Sequence, residues 1–329
     1  LTKLLEVKDL SVDYQTASGT LHAVRRVNLS VNEGEVLGVV GESGSGKTTV
    51  ALAVAGLLPR NASVNDSSQI LLEETNILTS KASDIDRIRG TGVFMIFQDP
   101  FMSLNPLMKI KHQMIEAIRV RCKRSLEPFN REEAEREALE SLKKVRIGDA
   151  DDIMERYPHQ LSGGQNQRVM LAMALVEKPK LVIADEPTTA LDVTTQAQIL
   201  DLFKEIIRST KMSMMFITHD LAVAATISDR LAVLYGGMLQ ESGPANEVLS
   251  NPMHPYTLGL IKSIPSKTKA EGMLEAIKGF FKWDGLEHMC AFAPRCPLAH
   301  DACFKGVPVA TVVNGRAVRC VNYGEQYEN

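Results

Sequence analysis

The sequence predicts an α/β fold: a parallel sheet that carries a phosphate-binding loop, with a cysteine-rich C-terminal extension. Three observations predict it. In EVLGVVGESGSGKTTVALAVAGLL an apolar run, Val36 to Val40, enters a glycine-rich turn and leaves as an amphipathic stretch, which reads as strand, loop and helix. A second apolar run, KLVIADEP, ends in the adjacent carboxylates Asp185 and Glu186. Four of the five cysteines crowd between Cys290 and Cys320.

Length and composition set the frame for these elements. A chain of 329 residues is long for one core, so a main domain with an appendage, or two domains, is expected. The balance of 37 basic against 40 acidic residues gives no electrostatic footprint for general nucleic-acid binding. An apolar fraction of 44% suffices for a buried core, and no apolar run approaches the roughly 18 residues of a membrane span. The opening LTKLLEVKDL shows no secretory signal, so a cytoplasmic setting is expected. Thiols are kept reduced there, which favours metal or cluster ligation over disulfides for the clustered cysteines.

Gly41, Gly46, Lys47 and Thr48 fit the pattern G-x-x-x-x-G-K-[ST], with Gly44 as a further glycine. Successive backbone N–H groups and the helix N-terminus cradle phosphates, Lys47 reaches the outer phosphates and Thr48 offers a hydroxyl to Mg²⁺. In a parallel sheet ligands sit beyond the carboxyl ends of strands, where Asp185 and Glu186 fall. Asp185 suits holding Mg²⁺ through water, and Glu186 suits orienting and deprotonating an attacking water. Without the loop, two such acids would read as a solvated strand end. Between the two runs, in QLSGGQNQRVMLAMAL, Ser162 followed by two glycines reads as a helix N-terminus and the residues from Val169 to Leu175 as a buried helix. This second anion site brings no lysine of its own, which makes sense if it completes a pocket on another subunit.

From about Leu4 to Leu249 the sequence resembles the nucleotide-binding subunits of ABC transporters, with each diagnostic element in the expected order. The resemblance implies a P-loop NTPase core: a RecA-like parallel sheet with an antiparallel β subdomain and an inserted helical subdomain. It implies that Tyr14 stacks on adenine, that Ser43 and Thr49 join the loop's nucleotide contacts, and that Gln98 in MIFQDP senses Mg²⁺ and the water. LSGGQ, with Ser162, Gly163, Gly164 and Gln165, matches the family signature. Asp192 matches the loop across the dimer interface, and His219 in FITHD the histidine that contacts the γ-phosphate. Read alone, Tyr14 is packing, Gln98 a strand end and His219 a structural residue. One departure is Asn166, where relatives carry a basic residue; a change in helix surface charge or partner contacts is expected from it.

The same resemblance sets the domain expectation: an ATPase domain at 1–250, a helical subdomain at about 100–170 containing EEAEREALESLKKV, and an extension at 251–329. Phe101, Met102 and Leu104 read as a groove for a short cytoplasmic helix of the permease, or as core packing. HPYT and CAFAPRCPLA resemble the tail of the oligopeptide and dipeptide importer branch, in particular its D-type ATPase subunit. The branch implies ATP and Mg²⁺, a second ATPase that is a paralogue in a heterodimer, two permease subunits, an extracytoplasmic solute-binding protein and a place on the cytoplasmic face of the membrane. Oligosaccharide import and a soluble, non-transport ATPase of the DNA-repair or translation kind are the alternatives. Cys290, Cys296, Cys303 and Cys320 lack the C-x-x-C pairs of structural zinc sites. They suit a [4Fe-4S] cluster, which some members of the branch carry, with zinc or free thiols as alternatives. A tail poor in aliphatic residues would use such a cluster as its staple.

Overall fold

The computed structural model describes residues 2–99, 103–189, 191–264, 277–279, 281, 288–324 and 326–328. Its elements follow in chain order: β1 (Lys3–Thr16), β2 (Gly19–Asn32), β3 (Val36–Val40), α1 (Lys47–Val54), β4 (Ala62–Val64), β5 (Gln69–Leu72), β6 (Thr75–Asn76), α2 (Ala82–Thr91) and β7 (Val93–Ile96). Next come α3 (Ile110–Ser125), α4 (Arg131–Lys144), α5 (Ala150–Glu155), α6 (Gly163–Glu177), β8 (Leu181–Asp185), α7 (Val193–Thr210) and β9 (Ser213–Thr218). The chain continues with α8 (Leu221–Ile227), β10 (Arg230–Tyr235), β11 (Met238–Pro244), α9 (Ala245–Ser250), α10 (Pro255–Lys262), β12 (Thr311–Val313) and β13 (Arg316–Val318). Among the described residues no helix is long and apolar enough to cross a membrane. The chain divides into two compact units. One comprises Leu1–Leu4, Asn32–Gly34 and Thr79–Met215; the other comprises Leu5–Val31, Glu35–Leu78 and Phe216–Asn329.

In the first unit β7 pairs parallel with β8, Val93 opposite Leu181. All five residues of β8 are buried, which is the sequence signature of a strand covered on both faces. Helix α4 begins at Asn130, whose side chain accepts from Glu132 N and Glu133 N, the expected cap for orphan N–H groups. It buries Ala134, Ala138, Ser141 and Leu142, one face at helical spacing. At the edge of that face Glu137 receives Arg121 Nη1 at 2.7 Å and Nη2 at 2.9 Å, with Lys178 at 2.9 Å. The Arg121 and Lys178 partners pull the Glu137 carboxyl down to about 2. Leu104 is 2% exposed: it packs in the core, so of the groove expected from the sequence this residue is withdrawn. Phe101 and Met102 lie outside the described residues.

In the second unit the strands run in the order β2-β1-β5-β6, with β4 also on β1; β4 and β5 pair antiparallel with β1, and β6 with β5. A second set runs β12-β13-β11-β10-β3; β3 and β10 are parallel, Leu37 opposite Arg230. Burial of every residue of β3 places the glycine-rich loop that follows at the end of a rigid element. The tail is not a separate knuckle. Strand β13 pairs with β11, Glu241 opposite Val318, and Phe292 packs against Tyr235 and Tyr256 at ring-centroid distances of 5.3 Å each. Such aromatic pairs contribute about 0.5–1.5 kcal/mol beyond area burial. The tail thus draws on packing that its own composition lacks, because it shares the core of the main sheet, Val40 and Val233 included.

The HPY triplet has a local explanation. His254 caps α10, its Nδ1 accepting from Tyr256 N at 3.0 Å, and Pro255 occupies the first helical position, where a missing N–H costs nothing. His254 is fully enclosed, and burial pushes it down from 6.5 to about 3. As pH falls below the unfolded value the unfolded chain takes up a proton that the folded chain refuses until near pH 3. Stability is therefore lost across that window at about 1.4 kcal/mol per pH unit. A His254→Asn variant retains a capping acceptor. Its melting temperature should fall less steeply than the parent's between about pH 7 and 5; parallel curves from scanning calorimetry would refute the assignment.

Candidate functional site

The loop between β3 and α1 is shaped by two glycines, Gly41 and Gly46, that leave no room for a Cβ. Gly41 has φ 157°, and a Cβ there would lie 2.1 Å from Leu234 O; Gly46 has φ 93°, and its Cβ would lie 2.5 Å from Ala23 O. Gly44, at φ 78°, meets nothing within 4 Å, so the loop presents an open side there. Lys47 is buried, its Nζ donating to Gly41 O at 2.8 Å and Glu42 O at 2.9 Å. Those bonds hold the ammonium across the mouth of the loop. Ser43 and Thr48 are exposed. Tyr14 Oη donates to Thr49 Oγ1 at 3.3 Å, which ties the candidate adenine platform to the loop's own helix. His219 is exposed at the end of β9; its neighbour Asp220 caps α8 by accepting from Ala222 N at 2.8 Å.

In the first unit the structure brings Gln98 and Glu186 together. Gln98 Nε2 donates to Glu186 Oε2 at 3.4 Å, and Thr189 Oγ1 donates to the same oxygen at 2.9 Å. Thr189 was not singled out from the sequence, although it lies three residues beyond Glu186 in DEPTTALD, turn spacing that could have flagged it. Asp185 is buried at the end of β8. Glu186 follows with φ 46°, a left-handed conformation costly for a residue with a Cβ. Strain of this kind concentrates at working sites. Asp192 caps α7, Oδ1 accepting from Thr194 N at 3.1 Å and Thr195 N at 3.0 Å. These bonds hold its carboxyl below the usual range.

Ser162 and Gln165 form a reciprocal cap on α6: Ser162 Oγ accepts from Gln165 N at 3.3 Å, and Gln165 Oε1 accepts from Ser162 N at 2.9 Å. At Gly164 a Cβ would come within 2.8 Å of the Thr195 methyl, whereas at Gly163 the nearest atom is 3.8 Å away. The expectation for Asn166 is corrected. It is 0% exposed, and its Nδ2 donates to Pro158 O at 3.0 Å and Leu161 O at 3.4 Å. It therefore ties α6 to the turn before the signature and has no part in surface charge. An Asn166→Ala variant leaves two buried carbonyls without that donor and should lose about 1–3 kcal/mol of stability. Denaturant unfolding checks this, and a loss under about 0.3 kcal/mol would contradict it.

Cys290, Cys303 and Cys320 are buried and Cys296 is half-buried. Cys290 N donates to Cys303 O at 2.9 Å. Burial raises the Cys290 thiol to about 11, with Cys303 and Cys320 adding in the same direction. Burial also raises Cys296 and Cys320. Among the described residues, no three histidines, cysteines or acids are placed to hold a metal ion.

Residues 24–189 match the family described as ABC transporter. The dipeptide transport ATP-binding protein of Haemophilus influenzae is 42% identical, over 96% of this chain and 94% of its own length. The chain belongs to the ABC transporter family. Its cassette is an ATPase, and membership implies ATP with Mg²⁺. The oligopeptide transport ATP-binding protein of Bacillus subtilis (strain 168) is 41% identical, over 99% of this chain and 98% of its own. Residues 240–303 match a second family, the oligopeptide/dipeptide transporter C-terminal region. Among solved structures, the ATP-binding cassette MJ0796, a dimer in a post-hydrolysis state bound to ADP and Pi, superposes with a TM-score of 0.64. It is 26% identical, and the match covers 73% of this chain and 98% of that one. The ABC loop fits a metal triphosphate: Gly41 and Gly46 fix a curl with no room for a Cβ, and Thr48 follows Lys47 at the start of α1.

Proposed function

We propose that this chain is the ATP-hydrolysing subunit that powers import of di- or oligopeptides. The observation that carries the reading is the C-terminal match over residues 240–303, joined to a cassette whose relatives, named for dipeptide and oligopeptide transport, align over nearly their whole lengths. Tyr14 stacks on adenine. Gly41, Ser43, Gly44, Gly46, Lys47, Thr48 and Thr49 take the phosphates. Ser162, Gly163, Gly164 and Gln165 complete the pocket of a second ATPase, with Asp192 at the interface. Thr48, Gln98 and Asp185 would hold Mg²⁺, which would neutralise charge on the phosphates. Glu186 accepts the proton of the attacking water, and His219 contacts the γ-phosphate.

Binding of ATP favours the closed pair of ATPases, and hydrolysis removes that preference, which is how two permeases would be driven between states. The second ATPase is a paralogue, the solute arrives through an extracytoplasmic binding protein, and the chain works at the cytoplasmic face of the membrane. Peptide-stimulated ATP hydrolysis in proteoliposomes holding the chain, its permeases and its paralogue tests the reading. Stimulation by oligosaccharide instead of peptide would redirect the substrate class; hydrolysis indifferent to any permease would favour a non-transport ATPase.

For the extension, the reading is a [4Fe-4S] cluster on Cys290, Cys296, Cys303 and Cys320. Its support is the donor type, four thiols gathered in one segment and mostly buried. No three of the described side chains surround a single ion, whereas a [4Fe-4S] cluster takes its four thiolates on separate irons. Iron and acid-labile sulfide near four each per chain after anaerobic purification would support the cluster. One zinc and no sulfide would replace it with a structural zinc, and neither would leave free thiols.

A further inference from the structure

Glu42, the second residue of the phosphate loop, is held at all three of its polar groups, two of them by the C-terminal extension. Its N–H donates to Tyr256 Oη at 2.8 Å. Its carbonyl accepts from Lys47 Nζ at 2.9 Å and from Ser45 N at 3.2 Å. Its carboxylate receives a two-pronged contact from Arg295, Nη1 to Oε2 at 2.6 Å and Nη2 to Oε1 at 3.1 Å. Parallel contacts of this kind fix orientation as well as contributing energy, which a lysine ammonium does less well.

Arg295 is itself immobilised. Its side chain is 8% exposed; Nη1 also donates to Tyr235 Oη at 3.1 Å, Nε donates to Lys278 O at 3.0 Å, and the guanidinium lies over the Tyr235 ring, 5.7 Å from its centroid. The backbone that presents it is a tight turn, Ala293–Arg295, with Ala293 N donating to Cys290 O at 2.9 Å and Cys296 N to Ala293 O at 3.2 Å. The turn is thus framed by two of the clustered cysteines.

We infer that Arg295 and Tyr256 are positioning residues for the phosphate loop, acting through Glu42. The inference rests on the reading that residues 41–49 hold the phosphates of ATP. Two physical effects carry it. A loop of N–H donors binds an anion well only when its shape is set beforehand, and Tyr256 and Arg295 set it at Glu42. A carboxylate beside a triphosphate also repels it unless neutralised, and Arg295 neutralises this one. The second effect gives a signature that a purely structural role lacks: removing the Glu42 charge should repair the loss of Arg295.

The test is equilibrium titration of the purified full chain with a fluorescent ATP analogue and Mg²⁺, with melting temperatures measured in parallel. Arg295→Ala should bind about tenfold more weakly, the factor carried by one charge-assisted contact. Arg295→Lys should recover part of that factor, and adding Glu42→Gln to Arg295→Ala should recover most of it. Tyr256→Phe, which keeps the ring and removes the acceptor, should weaken binding about three- to tenfold. The proposal is overturned if Arg295→Ala binds like the parent, or if its loss adds to that of Glu42→Gln. It is also overturned if Glu42→Gln fails to repair a loss that simply follows melting temperature. Lys47→Ala separates the two readings. Its undiminished binding would remove the phosphate-loop assignment and this inference with it, whereas its loss beside parent-like Arg295→Ala binding would overturn the inference alone.

Discussion

Replacing Glu186 with glutamine should lower steady-state ATP hydrolysis by about 10²–10⁴ while leaving nucleotide affinity near the parent value, the range expected for loss of a positioned general base. The substitution is close to isosteric and keeps an oxygen to accept from Thr189 Oγ1, now 2.9 Å away. It also keeps the same backbone demand at φ 46°, so the change isolates the carboxylate's basicity. Phosphate release and nucleotide titration on the same preparation check the prediction. Hydrolysis within about threefold of the parent would remove Glu186 as the base. Loss of affinity as large as the loss of rate would instead make it a binding residue.

The largest expected effect on stability lies at the buried pair Arg316 and Glu241. The two are 4% and 0% exposed, and Arg316 Nη2 donates to Glu241 Oε1. The same carboxylate accepts from Met253 N at 3.0 Å and His254 N at 2.9 Å, so it organises the entry to the capped helix as well. An Arg316→Met variant strands that carboxylate in the interior, and breaking a buried pair from one side costs about 3–5 kcal/mol. At roughly 2–4 °C per kcal/mol for a unit of this size, the melting temperature should drop by about 10 °C. Replacing both partners with apolar residues should recover much of the loss. A drop of under about 2 °C in the single variant would show that water reaches the pair.

What could be read from the sequence was whatever is encoded within a few turns of chain. Val36–Val40 and Leu181–Asp185 were legible as strands because each is an apolar run ending at a motif, and both bury every residue. Helix Arg131–Lys144 was legible from the helical, charged run EEAEREALESLKKV, whereas its Asn130 cap was not singled out. The partners of Glu42 were not, since Tyr256 and Arg295 stand 214 and 253 residues away and no local pattern links them. Asn166 misled for a related reason: a polar side chain in a signature helix suggests solvent, but its two acceptors are carbonyls of the preceding turn. The tail's attachment was hidden as well, because its poverty in aliphatic residues is offset by Phe292 docking on Tyr235 and Tyr256, residues that carry no periodic signal.

The left-handed backbone at Glu186 sets heat resistance and turnover against each other at one torsion angle. A side chain in that region costs on the order of 1–3 kcal/mol, which Glu186→Gly would relieve. A library selected only for surviving high temperature should therefore enrich that change early. Its winners would be harder to unfold and would still fold the phosphate loop correctly. With Glu186 as the base, as the Glu186→Gln measurement tests, they would hold their nucleotide without spending it and drop out under any selection that demands uptake.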